Sequence, residues 1–247
     1  MKFPLIPGFL LLAGFFLSVS PITAQSTADD SIFYKKAVYN TIGLYHKAAG
    51  EQSGLYNGSQ YGRFPFSFAG GGYPFFTEDK PGIGWVLYDG VLYENVELQF
   101  DEVQEVLIMQ DTIRRMQLLN PKIAAFALFN NSFIRIVKDS TTAPLIRTGF
   151  YNQLYKGNIN LLKREEKIIR EEVSTGELLR YIDVETFYYI QKNNTFYNIK
   201  NKSSILDIFK DRKKEVRQYI RKNKLSYKQD RDGMLVKVTA YYDQLIK

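Results

Sequence analysis

Between residues 85 and 200 apolar side chains recur at every second position, and short turn signals interrupt them again and again. Val96, Leu98 and Phe100 alternate with Glu97 and Gln99, the pattern of a strand with one face buried. Asp89-Gly90, Asn130-Asn131, Lys156-Gly157-Asn158 and Asn193-Asn194 each stand between two such runs. Asp-Gly and Asn-rich dipeptides tolerate the positive φ that two-residue hairpins require. Parallel strands need a crossover of a dozen or more residues, and none separates these runs. The chain is therefore expected to be mainly β (α+β), built on an antiparallel β-meander sheet. An aromatic content of 15% suits that sheet, because aromatic side chains fill a pleated surface well.

Inside this region, "WVLYDGVLYENVELQFD" at 85–101 is expected to turn at Asp89-Gly90. Tyr88 then pairs with Val91, Leu87 with Leu92, Val86 with Tyr93 and Trp85 with Glu94. Both faces of that hairpin are apolar, which predicts cover on both sides. The charged run "KREEKIIREEV" at 163–173 fits a helix with a Glu166–Arg170 pair, or a long solvated strand. The strand is preferred, because "NINLLKR" enters the run from a turn.

The flanks change period. Residues 29–49 place Phe33, Ala37, Leu44 and Ala48 on one line, predicting an N-terminal helix stopped by Gly50. Residues 54–84 are dense in Gly and Pro but also rich in Phe and Tyr, which predicts an ordered loop with short extended pieces. Beyond Lys200 the period becomes helical again. Ser204 and Asp207 have capping-box spacing, a break is expected near Asp211, and a last helix is expected over 231–246. This small C-terminal helical unit, residues 201–247, is expected to pack on the sheet of residues 25–200. Residues 1–24 read as a signal peptide. Lys2 precedes an apolar run from Phe9 to Val19, shorter than the roughly 20 residues of a spanning helix, and Ala24 ends a small-residue cleavage site.

Composition removes several chemistries. There is no Cys, which excludes thiolate catalysis, disulfides, Cys-ligated metals and lipoprotein anchoring. The single His46 sits in a helical pattern beside Ile42 and Tyr45, and no G-x-S-x-G accompanies it, so a hydrolase triad is not expected. Gly70-Gly71-Gly72 lacks the Gly-Lys-Ser/Thr of a phosphate loop, and no calcium-loop spacing occurs. No cofactor and no metal are expected. Export argues against nucleic acid as a partner. The helical C-terminus and the charged 163–173 run argue against a transmembrane barrel.

Three groups of residues remain as candidates. Tyr73, Trp85, Tyr93 and Glu94 form an aromatic-acidic set suited to gripping a ligand, with Glu94 expected opposite the only Trp. The carboxylates Asp89, Glu94, Glu97, Asp101, Glu102 and Glu105 cluster in sequence. Two carboxylates about 5–9.5 Å apart hydrolyse glycosides, so a hydrolase of envelope polysaccharide is the alternative function, resting on Asp89 and Glu94. Solvent-facing and turn roles account for most of that cluster. Finally, residues 210–228 hold nine Lys or Arg against Asp211 and Glu215, so the basic character is local. Arg212, Lys213, Lys214 and Arg217 are candidates for contact with an anionic surface.

The stretches "GLYNGSQY", "GGYPFF", "YDGVLYENVELQFD", "GFYNQLY" and "SILDIFKDRKKEVRQYIRKNKL" resemble a group of uncharacterised exported proteins of Bacteroidota. The resemblance runs in order through nearly the whole mature chain. It implies an envelope compartment, periplasmic or surface-associated, and transfers no activity. The reading is an exported, non-catalytic envelope protein that binds a partner protein, glycan or lipid through its aromatic sheet and Gly-rich loop.

Overall fold

The computed structural model describes residues 37, 38, 41, 53–110, 114–138 and 146–247. The chain separates into two units, residues 1–41 and 42–247, and the second contains the sheet and the C-terminal helices. The signal peptide and His46 lie outside the described residues, as does the helix expected over 29–49, apart from helical Ala37, Val38 and Thr41.

The second unit is an 11-stranded antiparallel sheet. Its strands are β1 (Ser59–Gln60), β2 (Gly82–Tyr88), β3 (Val91–Asp101), β4 (Val106–Gln110), β5 (Arg115–Gln117), β6 (Ile123–Leu128), β7 (Asn131–Ile136), β8 (Gly149–Lys156), β9 (Asn160–Ser174), β10 (Glu177–Lys192) and β11 (Thr195–Asn198). The spatial order β1-β5-β4-β3-β2-β6-β7-β8-β9-β10-β11 joins two meanders through the β2–β6 pair. The sheet coils strongly. The β3–β4 turn reaches β9, five places along the order, where the Lys167 amide donates to the Glu102 carbonyl at 3.4 Å.

The concave side is filled with rings. Phe126 and Phe133 stack at 4.6 Å, and Phe100 and Phe150 meet them edge-on or tilted at 5.3–5.5 Å. All four are buried, and each such side chain contributes about 1.5–3 kcal/mol by leaving water. At their other end the strands bury both faces. Leu161, Tyr188 and Ile190 face the helices, while Leu162, Tyr189 and Phe196 join Ile136, Ile146 and Tyr151 on the opposite side.

Two registers depart from expectation. In β3 the buried residue Tyr93 is followed by buried Val96 and Leu98, so the inward phase slips by one position. A bulge absorbs the slip, setting Glu94 and Asn95 together against Trp85, with Asn95 at φ 55°. The same hairpin is covered on one face only, since Leu92 stays 50% exposed. Cover on both faces fails because the coiled sheet encloses its core on the Val86–Tyr88–Tyr93 side alone. The second departure is the β6–β7 turn. It sits at Phe129-Asn130, with φ of 49° and 60°, one residue before the Asn130-Asn131 expected. This register sets Phe126 directly opposite Phe133, and that stacking outweighs local turn preference. Asn131 becomes a strand residue, accepting from Asn152 Nδ2 at 2.9 Å and donating to the Phe129 carbonyl at 2.7 Å.

The charged run does form a strand, β9, paired along its length with β10. The helical unit comprises α1 (Lys202–Ile208), α2 (Lys213–Lys222) and α3 (Arg231–Leu245). α1 begins one turn earlier than the Ser204–Asp207 spacing suggests. Asn201 caps it by accepting from the Ser204 amide at 3.0 Å, and Asp207 instead pairs with Lys213 at 2.7 Å. The break near Asp211 is a 3-10 turn, but Asp211 caps nothing and accepts from the Tyr242 hydroxyl at 3.0 Å. Phe209 stacks on Tyr242 at 3.8 Å, and Leu235, Val238 and Tyr242 of α3 bury against β8 and β9. No helix among the described residues is long and apolar enough to cross a membrane.

Candidate functional site

The Phe- and Tyr-rich loop between β1 and β2 folds against the sheet and leaves a cleft of about 430 Å³. Tyr61, Phe64, Phe66, Phe68, Tyr73 and Phe75 supply its aromatic wall, and Arg63, Asp79 and Arg115 its charges. Phe64, Phe66 and Phe68 form a triangle with ring centroids 5.3–5.6 Å apart. β10 backs this loop, where the Arg180 guanidinium lies 4.2 Å from the Phe66 ring. A linker without such packing could not hold six rings in place against the entropy of ordering them.

One end of the cleft is held by a polar network. The Tyr61 hydroxyl donates to Asp101 Oδ2 at 2.7 Å, and burial together with this bond pushes the phenol well above its ordinary range. Asp101 also accepts the amides of Val103 and Gln104 at 2.8 and 2.9 Å, so it closes the β3–β4 turn. Arg115 reaches from β5, its guanidinium carbon 5.0 Å from the Tyr61 ring centroid and 5.5 Å from that of Phe75. It donates to the Gln99 side chain. Burial, then the nearby positive charge of Arg63, draws the Arg115 pKa down.

A second, smaller cleft of about 240 Å³ lies between the β3–β4 turn and β9. Glu105 accepts from the Phe150 amide at 3.0 Å and from Arg164 Nη2 at 3.0 Å, and Arg164 Nε donates to Glu166 at 2.8 Å. Gly149 makes this pair possible, because a Cβ there would lie 2.0 Å from Glu105 Oε1. Glu102 stands 3.4 Å from Lys167 Nζ, which also donates to the carbonyls of Tyr73 and Phe75. Burial raises the Glu102 carboxyl to about 7 despite the pull of Lys167. The acids of this turn thus fasten the coiled sheet at the foot of the aromatic loop.

Of the residues singled out from sequence, only Tyr73 lines the aromatic cleft. Trp85, Tyr93 and Glu94 lie on the β2–β3 hairpin and line neither cleft. Tyr93 is buried in the core, Trp85 is half-buried and Glu94 is exposed at the bulge. Asp89 occupies the turn at φ 52° and pairs with Lys122 at 2.9 Å. Arg212, Lys213, Lys214 and Arg217 lie at the start and along the exposed side of α2, whose Val216 and Ile220 are buried. Arg212 pairs with Glu215 and Lys213 with Asp207, whereas Lys214, Arg217 and Arg221 form no ion pair among the described residues. Among those residues, no group of three or more His, Asp or Glu comes together to hold a metal.

Arg63, Arg115, Asp79 and the Phe triangle were not singled out. The density of rings in residues 54–84 pointed to that loop as a whole, but Arg115 arrives from a strand far along the chain. The arrangement can stack planar or ring faces, accept hydroxyl protons at Asp79 and receive negative charge at two guanidiniums. No family model, no curated protein and no solved structure matches this chain.

Proposed function

We propose that this chain is an exported, non-catalytic envelope protein that binds a saccharide in the aromatic cleft. The observation that carries this reading is the juxtaposition of six ordered rings with Arg63, Arg115 and Asp79 around about 430 Å³. Sugar rings present apolar C–H faces and polar edges, and such a wall meets both. The resemblance to exported Bacteroidota proteins, and the leader-like first 24 residues, favour the envelope as its compartment. The non-catalytic reading is supported by how four of the six clustered carboxylates are occupied, with Glu94 exposed at the bulge. Asp101 is buried and holds three donors, Glu102 faces Lys167, Glu105 faces Arg164, and Asp89 closes a turn beside Lys122.

The basic side of α2 supplies a second contact, with the anionic surface of the envelope, through Lys214, Arg217 and their neighbours. It works independently of the cleft.

Affinity electrophoresis of the full-length chain through gels containing envelope polysaccharide tests the cleft. Retardation that disappears in Phe66→Ala/Tyr73→Ala is the expected result. Equal retardation of the variant would contradict binding in the cleft, and release of reducing ends abolished by Glu94→Gln and Asp89→Asn would favour the hydrolase instead.

A further inference from the structure

We infer that Arg63 and Arg115 form an oxyanion subsite in the aromatic cleft, so that the saccharide bound there is an acidic one, carrying a carboxylate on its ring. The inference rests on the saccharide reading above and sharpens it. The two guanidiniums lie near enough for the charge of Arg63 to bear on Arg115, which is itself partly buried and whose pKa is depressed. Among the described residues neither of them forms an ion pair, and Arg115 Nε is buried without an acceptor. Asp79 and Asp101 act on Arg115 only through the longer-range field. Asp101 is also fully engaged by Tyr61 and two turn amides. By contrast, buried Arg164 has Glu105 and Glu166 as partners, and half-buried Lys163 has Glu165 and Asp232. Two like charges that line one cleft, neither in an ion pair, are an arrangement that a bound oxyanion favours.

The geometry fixes what else the ligand must offer. Arg115 packs beside the Tyr61 and Phe75 rings, its guanidinium carbon 5.0 and 5.5 Å from their centroids, and a guanidinium fork matches a planar, two-oxygen acceptor. The Phe64–Phe66–Phe68 triangle and Tyr73 continue the same cleft, so the oxyanion belongs on a molecule with a further face to stack. Exposed Asp79 and Ser67 on the rim suit hydroxyl groups. A ring with one carboxylate and several hydroxyls, as in a uronic acid residue, meets all three demands.

The test is a titration of the full-length chain with oligomers of galacturonate, glucuronate and mannuronate, beside the same oligomers methyl-esterified. Acidic oligomers are expected to bind at least tenfold more tightly than their esters. Arg63→Gln, an exposed position, should remove that preference while leaving the melting temperature unchanged. Arg115→Lys, which keeps the charge and loses the fork, should weaken acidic oligomers by roughly tenfold or more. Esters that bind as well as acids would overturn the oxyanion subsite and leave the saccharide reading standing. If no oligomer binds, benzoate serves as a small ring-borne carboxylate. Benzoate shifting the Arg63 and Arg115 side-chain resonances would keep the subsite and sink the saccharide, and silence from benzoate as well would sink both.

Discussion

Glu102 shows how one side chain couples the fold to pH. A carboxyl raised from 4.5 to about 7 holds its proton more tightly in the folded than in the unfolded state. Its contribution to stability is therefore complete below about pH 4.5 and is lost as pH rises through about 7. Glu102→Gln removes that dependence. The melting temperature of the variant should match the wild type near pH 4.5 and exceed it by several degrees at pH 8, read by calorimetry across that range; a difference that does not grow with pH would contradict this origin. At the ring cluster, Phe126→Ala should cost about 3–5 kcal/mol in denaturant unfolding, because it empties a fully buried site contacted by three other rings. Some residue-level roles were legible in the sequence. Asp89-Gly90 fixes its turn through φ alone, but the bulge at Glu94-Asn95 departs from the register that the turn by itself predicts. Phe129 in the left-handed region was not legible, because ring stacking between two strands selected that turn, and turn chemistry reads only neighbours.

Among elements, β9 and β10 carry two different lives in one hairpin. Their inner halves bury Leu161, Leu162, Tyr189 and Ile190, whereas the outer halves are solvated, with Val173 74% exposed. Arg170–Asp183 and Arg180–Glu171 ladder that outer part, and exposed pairs of this kind add little stability. The strand reading of 163–173 succeeded because the turn at 157–158 forced an extended entry, although the charges alone fit a helix. Helix caps were less legible, since Asn201 competes with Ser204 for the same start and wins by its extended backbone. The β2–β6 pair joins the two meanders, and Gly84 permits it. A Cβ there would lie 2.0 Å from the Ala127 carbonyl oxygen, which is backbone and cannot swing aside. Gly84→Ala should therefore lower the midpoint of unfolding severely, by several kcal/mol, while Gly90→Ala, which meets nothing within 4 Å, should cost only its positive φ, on the order of 1 kcal/mol.

At the scale of the whole second unit, coiling of the sheet is what creates the candidate site. It brings the β3–β4 turn to β9, and that junction supports the loop whose rings form the cleft. Period-two patterning shows that strands exist and pair with their neighbours; it contains no measure of coiling, so Arg115 and the Phe triangle could not be placed together beforehand. The hairpin around Trp85, more conspicuous in sequence, lies outside the cleft. The basic side of α2, in contrast, was fully legible as a local run of charge. If it meets an anionic surface, sedimentation with vesicles containing phosphatidylglycerol should fall steeply between low and physiological salt. Neutralising Arg212, Lys213, Lys214 and Arg217 to Gln should abolish that sedimentation; unchanged binding by the variant would exclude the contact. The aromatic cleft itself is tested most directly by hydroxyl-radical footprinting of the full-length chain with and without envelope polysaccharide. Protection confined to residues 61–79 and Arg115 is the expected result, and protection of the Trp85 hairpin with the cleft left unchanged would contradict it.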